Sequence, residues 1–347
     1  MRITNNMMAA STIKNINNAA KRLNEANERM SSQQKIQLAS DDPVIATRAI
    51  KYRNYVATVE QYKKNVDDVT SWQGITNSAL SDLDEVIQQA RELTVKASNG
   101  TLSDSDLANI KTEMEELQKQ AVQIMNSTYA GRYVFGGFDT DAAPYKLEST
   151  DIGDIVTYKG QYTGTVVASD TDDADIASFY ADNSDNFYED SSEQSIQYNI
   201  GFNAKVTVNV EGQDVVGATT GNNLFDTFAK LLTALDSQSS YKTIDPSSGT
   251  VTTTTLSNIN DLLDDLDENH NQILTAQAAL GAKMNYVTRV ADRLSTDYST
   301  YTTLMSNNED IDTAEASTDV STAEYVYQAS LSVGAKVITK SLIDYIA

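Results

Sequence analysis

Residues 259–305 read INDLLDDLDENHNQILTAQAALGAKMNYVTRVADRLSTDYSTYTTLM, without a proline and with one glycine, Gly281. Ile259, Leu263, Leu266, His270, Ile273, Gln277, Leu280, Met284, Val287, Ala291, Leu294, Tyr298, Tyr301 and Met305 recur at alternating steps of four and three. That spacing averages 3.5 residues and predicts one long helix with a seam that packs in coiled-coil fashion. At 1.5 Å per residue, such a helix is roughly 70 Å long, more than a compact domain of this size can enclose. A rod-like helical body is expected.

Other segments repeat the pattern. Toward the N-terminus the stripe is Ile13, Ile16, Ala20, Leu23, Asn27 and Met30. Asp41-Asp42-Pro43 supplies an aspartate cap and a proline for the first helical position. Behind it come Tyr52, Tyr55, Val59, Tyr62, Val66 and Val69, then Leu80, Leu83, Ile87 and Ala90. Ser103-x-x-Asp106 is a capping box opening a further helix through Leu107, Ile110, Met114, Leu117, Ala121 and Ile124. Leu331, Ala335, Ile338, Leu342 and Tyr345 mark the last.

Between these ends the character changes. Eleven of the 15 glycines lie from Gly131 to Gly249, and Pro144 and Pro246 fall near the two ends of that stretch. Ile196–Ile200 and Ala204–Val210 alternate with period two, as half-buried strands do, and Glu211-Gly212 reads as a turn before Asp214-Val-Val. Ile155-Val-Thr-Tyr and Thr165-Val-Val read likewise. The fold expected is mainly α with an inserted small β domain, the helical rod being built from both chain ends. The corresponding divisions are a terminal helical domain (1–40 and 307–347), a long-helix domain (41–138 and 251–306) and a mostly β domain (139–250).

Composition narrows the function. The chain has 347 residues, no cysteine, one histidine and a net charge of −23. Disulfides and thiolate chemistry are therefore excluded, and general acid–base catalysis has a single histidine to draw on. Such an acidic surface is unsuited to the phosphates of nucleic acid. No stretch approaches the ~20 apolar residues of a membrane helix, and the N-terminus shows no basic-then-apolar leader. No phosphate-binding glycine loop or nucleophile–base pair appears, so no enzyme and no cofactor is expected. His270 falls on the seam and reads as a core or interface residue. Asp182-x-Ser-x-Asn-x-Tyr-x-Asp-x-x-Glu193 echoes a calcium loop, but Phe187 stands where the turn needs glycine. Asp170-Thr-Asp-Asp-Ala-Asp reads as a solvated loop, and Arg91 as an exposed helix residue.

Charge is also partitioned. Residues 1–64 hold 11 Lys and Arg against 5 Asp and Glu, net +6, whereas 307–347 hold 2 against 7, net −5. Opposite signs favour the two ends lying together. Their apolar stripes are thin for isolated helices, so the ends are expected to order fully on assembly, by pairing Ile13, Ile16, Leu23 and Met30 with Leu331, Ile338 and Leu342. The alternative is that these stripes pack on the helical body of the same subunit.

The same segments carry a family likeness. Met1-Arg-Ile-Thr-x-x-Met-Met, Leu38-Ala-Ser-Asp-Asp-Pro-Val-Ile-Ala, Asn99-Gly-Thr-Leu-Ser-Asp, Ala279-Leu-Gly-Ala-Lys-Met-Asn-Tyr-Val and Asp310-Ile-Asp-Thr-Ala-Glu-Ala resemble the flagellin superfamily over roughly residues 1–145 and 250–347. Within it, Gly131-Arg-Tyr-Val-Phe-Gly-Gly-Phe, Ala142-Ala-Pro-Tyr and the Met-Arg-Ile start are similar to the hook–filament junction branch. The alternative is a flagellin forming the filament itself. The resemblance implies a structural, extracellular role in the flagellum, with unfolded export through the flagellar type III apparatus and no cleaved leader. It implies as partners other copies of the chain, hook-associated protein 1, flagellin and an export chaperone.

Overall fold

The structure is a computed structural model and describes residues 5–99, 102–188, 194–217, 223–236, 240–245, 248–256 and 258–338. It contains two compact units, residues 1–61 with 294–347 and residues 62–293. Its long helices are α1 (Asn5–Ser32), α2 (Pro43–Ala97), α3 (Asp104–Met125), α7 (Leu263–Glu309) and α8 (Thr313–Ile338). The predicted starts hold. Asp42 Oδ1 accepts from the Val44 and Ile45 amides at 2.8 and 3.1 Å, with Pro43 as the first helical residue of α2. Ser103 and Asp106 form the reciprocal capping box of α3. Gly281 leaves α7 unbroken.

In the larger unit the seam is buried unevenly. Along α7, Leu266, Ile273, Leu280 and Val287 are fully covered, each seven residues from the last. The intervening positions His270, Gln277 and Met284 are half-exposed. Stretches of α2 and α3 bury Val66, Val69, Leu80, Leu83, Ile87 and Ala90, and Ile110, Met114, Leu117 and Ala121. His270 sits at the rim of the seam, its Nε2 2.6 Å from Asp84 Oδ1. Arg91 is bound rather than free, because its Nε donates to Asp267 Oδ1 at 2.8 Å.

A tight hairpin follows α3: β1 (Thr128–Tyr129) pairs with β2 (Arg132–Tyr133) across Ala130 and Gly131. Both turn residues have positive φ, 50° and 79°, the geometry whose twist suits a two-residue hairpin. Beyond it, β3 (Tyr145–Thr150), β4 (Gly153–Tyr158) and β5 (Gln161–Tyr162) form an antiparallel sheet in order β3-β4-β5. A second sheet, in order β10-β9-β6, joins β6 (Val166–Ala168), β9 (Ser240–Ile244) and β10 (Val251–Thr255), and β7 (Gln197–Gly201) pairs with β8 (Ala204–Thr207). Ile152, Ile155, Val167, Ile176 and Ile244 make one apolar cluster beneath Tyr162, Phe179 and Tyr180.

The middle of the chain also holds three helices that alternation does not foresee. These are α4 (Asp173–Asn183), α5 (Gly212–Val216) and α6 (Leu224–Leu235). The expected solvated loop at 170–175 is thus the start of α4, where Asp172 caps the helix and Asp173 and Asp175 lie in its first turn. Negative charge there meets the positive end of the helix dipole. The expected strand at 214–216 is α5 instead. Asp182–Asn186 of the calcium-like pattern lies on the end of α4 and a 3-10 turn, while Asp190 and Glu193 lie outside the described residues. Among the described residues, no group of three or more His, Asp or Glu side chains could hold a metal ion. None of the described helices is long and apolar enough to cross a membrane.

Helix α6 is fastened to the start of α7 by polar contacts. Lys230, 3% exposed, reaches Asp265 Oδ2 at 2.7 Å, and Asn269 Nδ2 donates to Thr227 Oγ1 at 2.9 Å. Asp226, also buried, accepts from the Thr165 amide and from Asn223 Nδ2. Every buried polar group named here has a partner, as burial requires.

Candidate assembly interface

The smaller unit joins the two chain ends. Helices α1 and α8 pack along one another, and their seam is built from small and half-buried residues. Ala19 and Ala316 are buried, and Ile16, Leu23, Ala26, Ala323 and Tyr327 are partly covered. Gly334 is buried where a Cβ would stand 2.7 Å from Ile16 Cδ1 and 3.5 Å from Thr12 Cγ2. The absence of a side chain lets the helices approach closely.

Two linkers connect this pair to α2 and α7, and the Leu38-Ala-Ser-Asp-Asp-Pro motif shapes the first. Asp41 Oδ2 accepts from the Leu38 amide at 3.0 Å and folds the chain back, and Asp42 then caps α2. In the second, Asp312 Oδ1 accepts from the Ala314 amide at 2.8 Å and caps α8. The linkers pair with each other: the Lys35 amide donates to the Glu309 carbonyl at 2.7 Å, and the Ile311 amide to the Gln33 carbonyl at 3.0 Å. Arg53 on α2 grips the Glu309 carboxylate through Nε, 3.0 Å from each oxygen, and through a terminal nitrogen. That hydrogen bond raises the pKa of Arg53 above its ordinary value. Tyr55 and Tyr301 stack nearby, with ring centroids 5.1 Å apart.

Several large apolar side chains of this unit are exposed. Tyr325 is 75% exposed, Met7 62% and Val333 57%. Ile13, Met30, Leu331, Met8, Leu38, Val44 and Ile50 are exposed too. Of the residues expected to pair, Ile16 and Leu23 lie half-buried, Ile16 meeting Gly334, whereas Ile13, Met30 and Leu331 face solvent. The side chain of Ile338, and Leu342 altogether, lie outside the described residues. The residues that line the α8 side, Ala316, Ala323, Tyr327 and Gly334, are not in the expected stripe. Except for Tyr327, their small size hides them from a search for large apolar side chains. Exposed large apolar side chains in this number make the unit a candidate protein–protein contact region.

Comparison with known proteins agrees with an assembling helical chain. Residues 3–140 match the bacterial flagellin N-terminal helical region and residues 263–346 the bacterial flagellin C-terminal helical region. Together these cover more than half of the sequence, and the chain belongs to the flagellin family. Within that family it is similar to flagellar hook-associated protein 3 of Escherichia coli (strain K12), 33% identical over 165 residues, which is 47% of this chain and 49% of that protein. The chain thus spans about half the length of that curated relative. Phase 1 flagellin of Salmonella naestved is 32% identical over 126 residues, 36% of this chain and 25% of that one. A solved flagellar hook-associated protein from Vibrio parahaemolyticus shares the fold, with a TM-score of 0.56, 14% identity, and coverage of 78% of this chain and 100% of that one.

Proposed function

We propose that this chain is a structural, non-catalytic subunit of the bacterial flagellum that joins the hook to the filament. The observation that carries this reading is the likeness to hook-associated protein 3, which extends over more of both chains than the likeness to flagellin does. The exposed apolar side chains of the α1–α8 unit support it, because a lone subunit gains nothing from exposing Ile13, Met30, Leu331 and Tyr325.

In this reading, residues 1–40 and 307–347 form the inner assembling part, 41–138 and 251–306 the load-bearing helices, and 139–250 the outer domain. Ile13, Ile16, Leu23, Met30, Leu331, Ile338 and Leu342 supply the apolar contacts among copies. Covering a side chain such as Leu331 contributes up to about 1.5–3 kcal/mol, less the share already buried in the monomer. Basic α1 of one copy and acidic α8 of the next add long-range attraction. Hook-associated protein 1 and flagellin are the neighbours on either side, reached after export by the flagellar type III apparatus with a chaperone, and the finished location is extracellular.

Deletion of the gene, followed by electron microscopy and assay of the medium, tests this. Hooks without filaments, with flagellin free in the medium, are the expected result. Full filaments on normal hooks would reject the proposal, and loss of the main filament protein itself would make the chain a flagellin.

A further inference from the structure

Every covalent route from α1 and α8 to the rest of their unit passes through the two linkers, and the linkers are bonded to each other. Gln34 and Asp310 form an antiparallel bridge flanked by the two amide–carbonyl bonds, Lys35 to Glu309 and Ile311 to Gln33. Further bonds brace it: Lys35 Nζ donates to the Asn307 carbonyl at 2.7 Å, and Asn308 Nδ2 to the Ile45 carbonyl at 3.1 Å. One residue belongs to both sides. The Glu309 carbonyl is an acceptor in the ladder, and its carboxylate is held by Arg53 from α2. Glu309 is 6% exposed, whereas the Arg53 side chain is 55% exposed.

We infer that Glu309 is the keystone of a latch between the two linkers, so that α1 and α8 loosen and dock as one element and never singly. A two-rung ladder between segments this far apart in sequence is weak alone, because loop closure opposes it. A bidentate pair to a nearly buried carboxylate fixes the position of the Glu309 main chain, and hence of the acceptor that Lys35 needs. Removing the charge frees the carbonyl to drift, and the first rung opens. The second rung, two residues further along each strand, cannot persist by itself. The inference concerns the free chain and does not depend on what the terminal helices assemble with.

Amide hydrogen exchange on the full-length chain tests it, with Glu309→Gln as the perturbation. Arg53 can turn to water, so the substitution leaves no buried cation behind. The latch predicts that the Lys35 and Ile311 amides exchange at least tenfold faster, by the same factor, while amides in residues 62–293 are unmoved. Acceleration at Lys35 alone, at Ile311 alone, or at neither would overturn it. A second measurement needs no variant. In native-state exchange at rising denaturant, the two amides of the unaltered chain should merge into one opening of a single free energy. Two separate openings would overturn the latch irrespective of how the variant folds.

Discussion

Gly334 offers a test of how α1 and α8 are held together. Replacing it with alanine has two opposed effects. The helix interior gains about 1 kcal/mol from the better propensity of alanine over glycine. The new methyl would stand 2.7 Å from Ile16 Cδ1, and Ile16 must leave its rotamer to make room. Because Cδ1 is the far end of a flexible side chain, the displacement costs about 0.5–1.5 kcal/mol. Gly334→Ala should therefore be close to neutral. Gly334→Val adds two further carbons and a β-branch that loses helix propensity, so it should destabilise the pair by about 1–3 kcal/mol. Local exchange of the amides of residues 12–23 reads this directly, since those amides depend on the docking of α8. The decisive step is the double-mutant cycle with Ile16→Ala, which removes the clashing atom. In that background the valine penalty should shrink by about 1 kcal/mol or more. An unchanged penalty in both backgrounds would refute the close approach as its cause.

The other predictions probe different parts of the chain. Lys230→Ala leaves Asp265 unpaired and should destabilise the larger unit by about 2–4 kcal/mol in chemical denaturation, the lower end applying because Asp265 reaches solvent. Ser103→Ala removes the cap of α3 and should cost about 1 kcal/mol by the same measure. The hydrogen bond from Arg91 holds the Asp267 carboxyl below the usual carboxylate range. Its contribution is therefore present above the unfolded-state pKa and disappears as pH falls below about 4. Arg91→Ala should flatten that part of the stability–pH curve and lower stability at pH 7 by the same amount, which is small because both side chains are nearly half exposed. Ile13→Asp and Leu331→Asp alter half-exposed helix positions, so monomer unfolding should shift by only about 1 kcal/mol. Complementation of a deletion strain by either variant should nevertheless fail, and normal motility would remove these residues from the interface.

The long helices were legible because their burial is periodic and their starts are chemically marked. Asp42 with Pro43, and Ser103 with Asp106, act through their nearest neighbours, so the relevant physics is contained in four residues. Position along the seam was less legible. His270 obeys the 3.5-residue spacing, yet it stands at the rim beside Asp84, because only every seventh residue of α7 is fully covered. Helix α6 was available to the same reasoning: Asn223 and Asp226 form a cap, and Leu224, Phe225, Phe228, Leu231 and Leu235 follow a helical period. The surrounding glycines made the whole region read as strands. The α1–α8 seam was the hardest to read, since Gly334 and Ala316 contribute by being small. A contact made by the absence of a side chain leaves no mark in hydropathy. Nor could spacing reveal that Glu309 meets Arg53, a pairing that exists only after the two ends have come together.

The smaller unit takes residues from both ends of the chain, with the whole larger unit between them; Asn308 and Ile45 are hydrogen-bonded across 263 positions of sequence. Contacts of such separation form late, because the intervening chain must first be gathered. During N-to-C emergence from any pore, ribosomal or secretory, the larger unit has all its residues outside before α8 appears. Until then α1 has exposed its apolar face with nothing to lie on. The order of emergence therefore sets the order of folding: the larger unit can finish first, and the α1–α8 pair can close only after α8 has emerged.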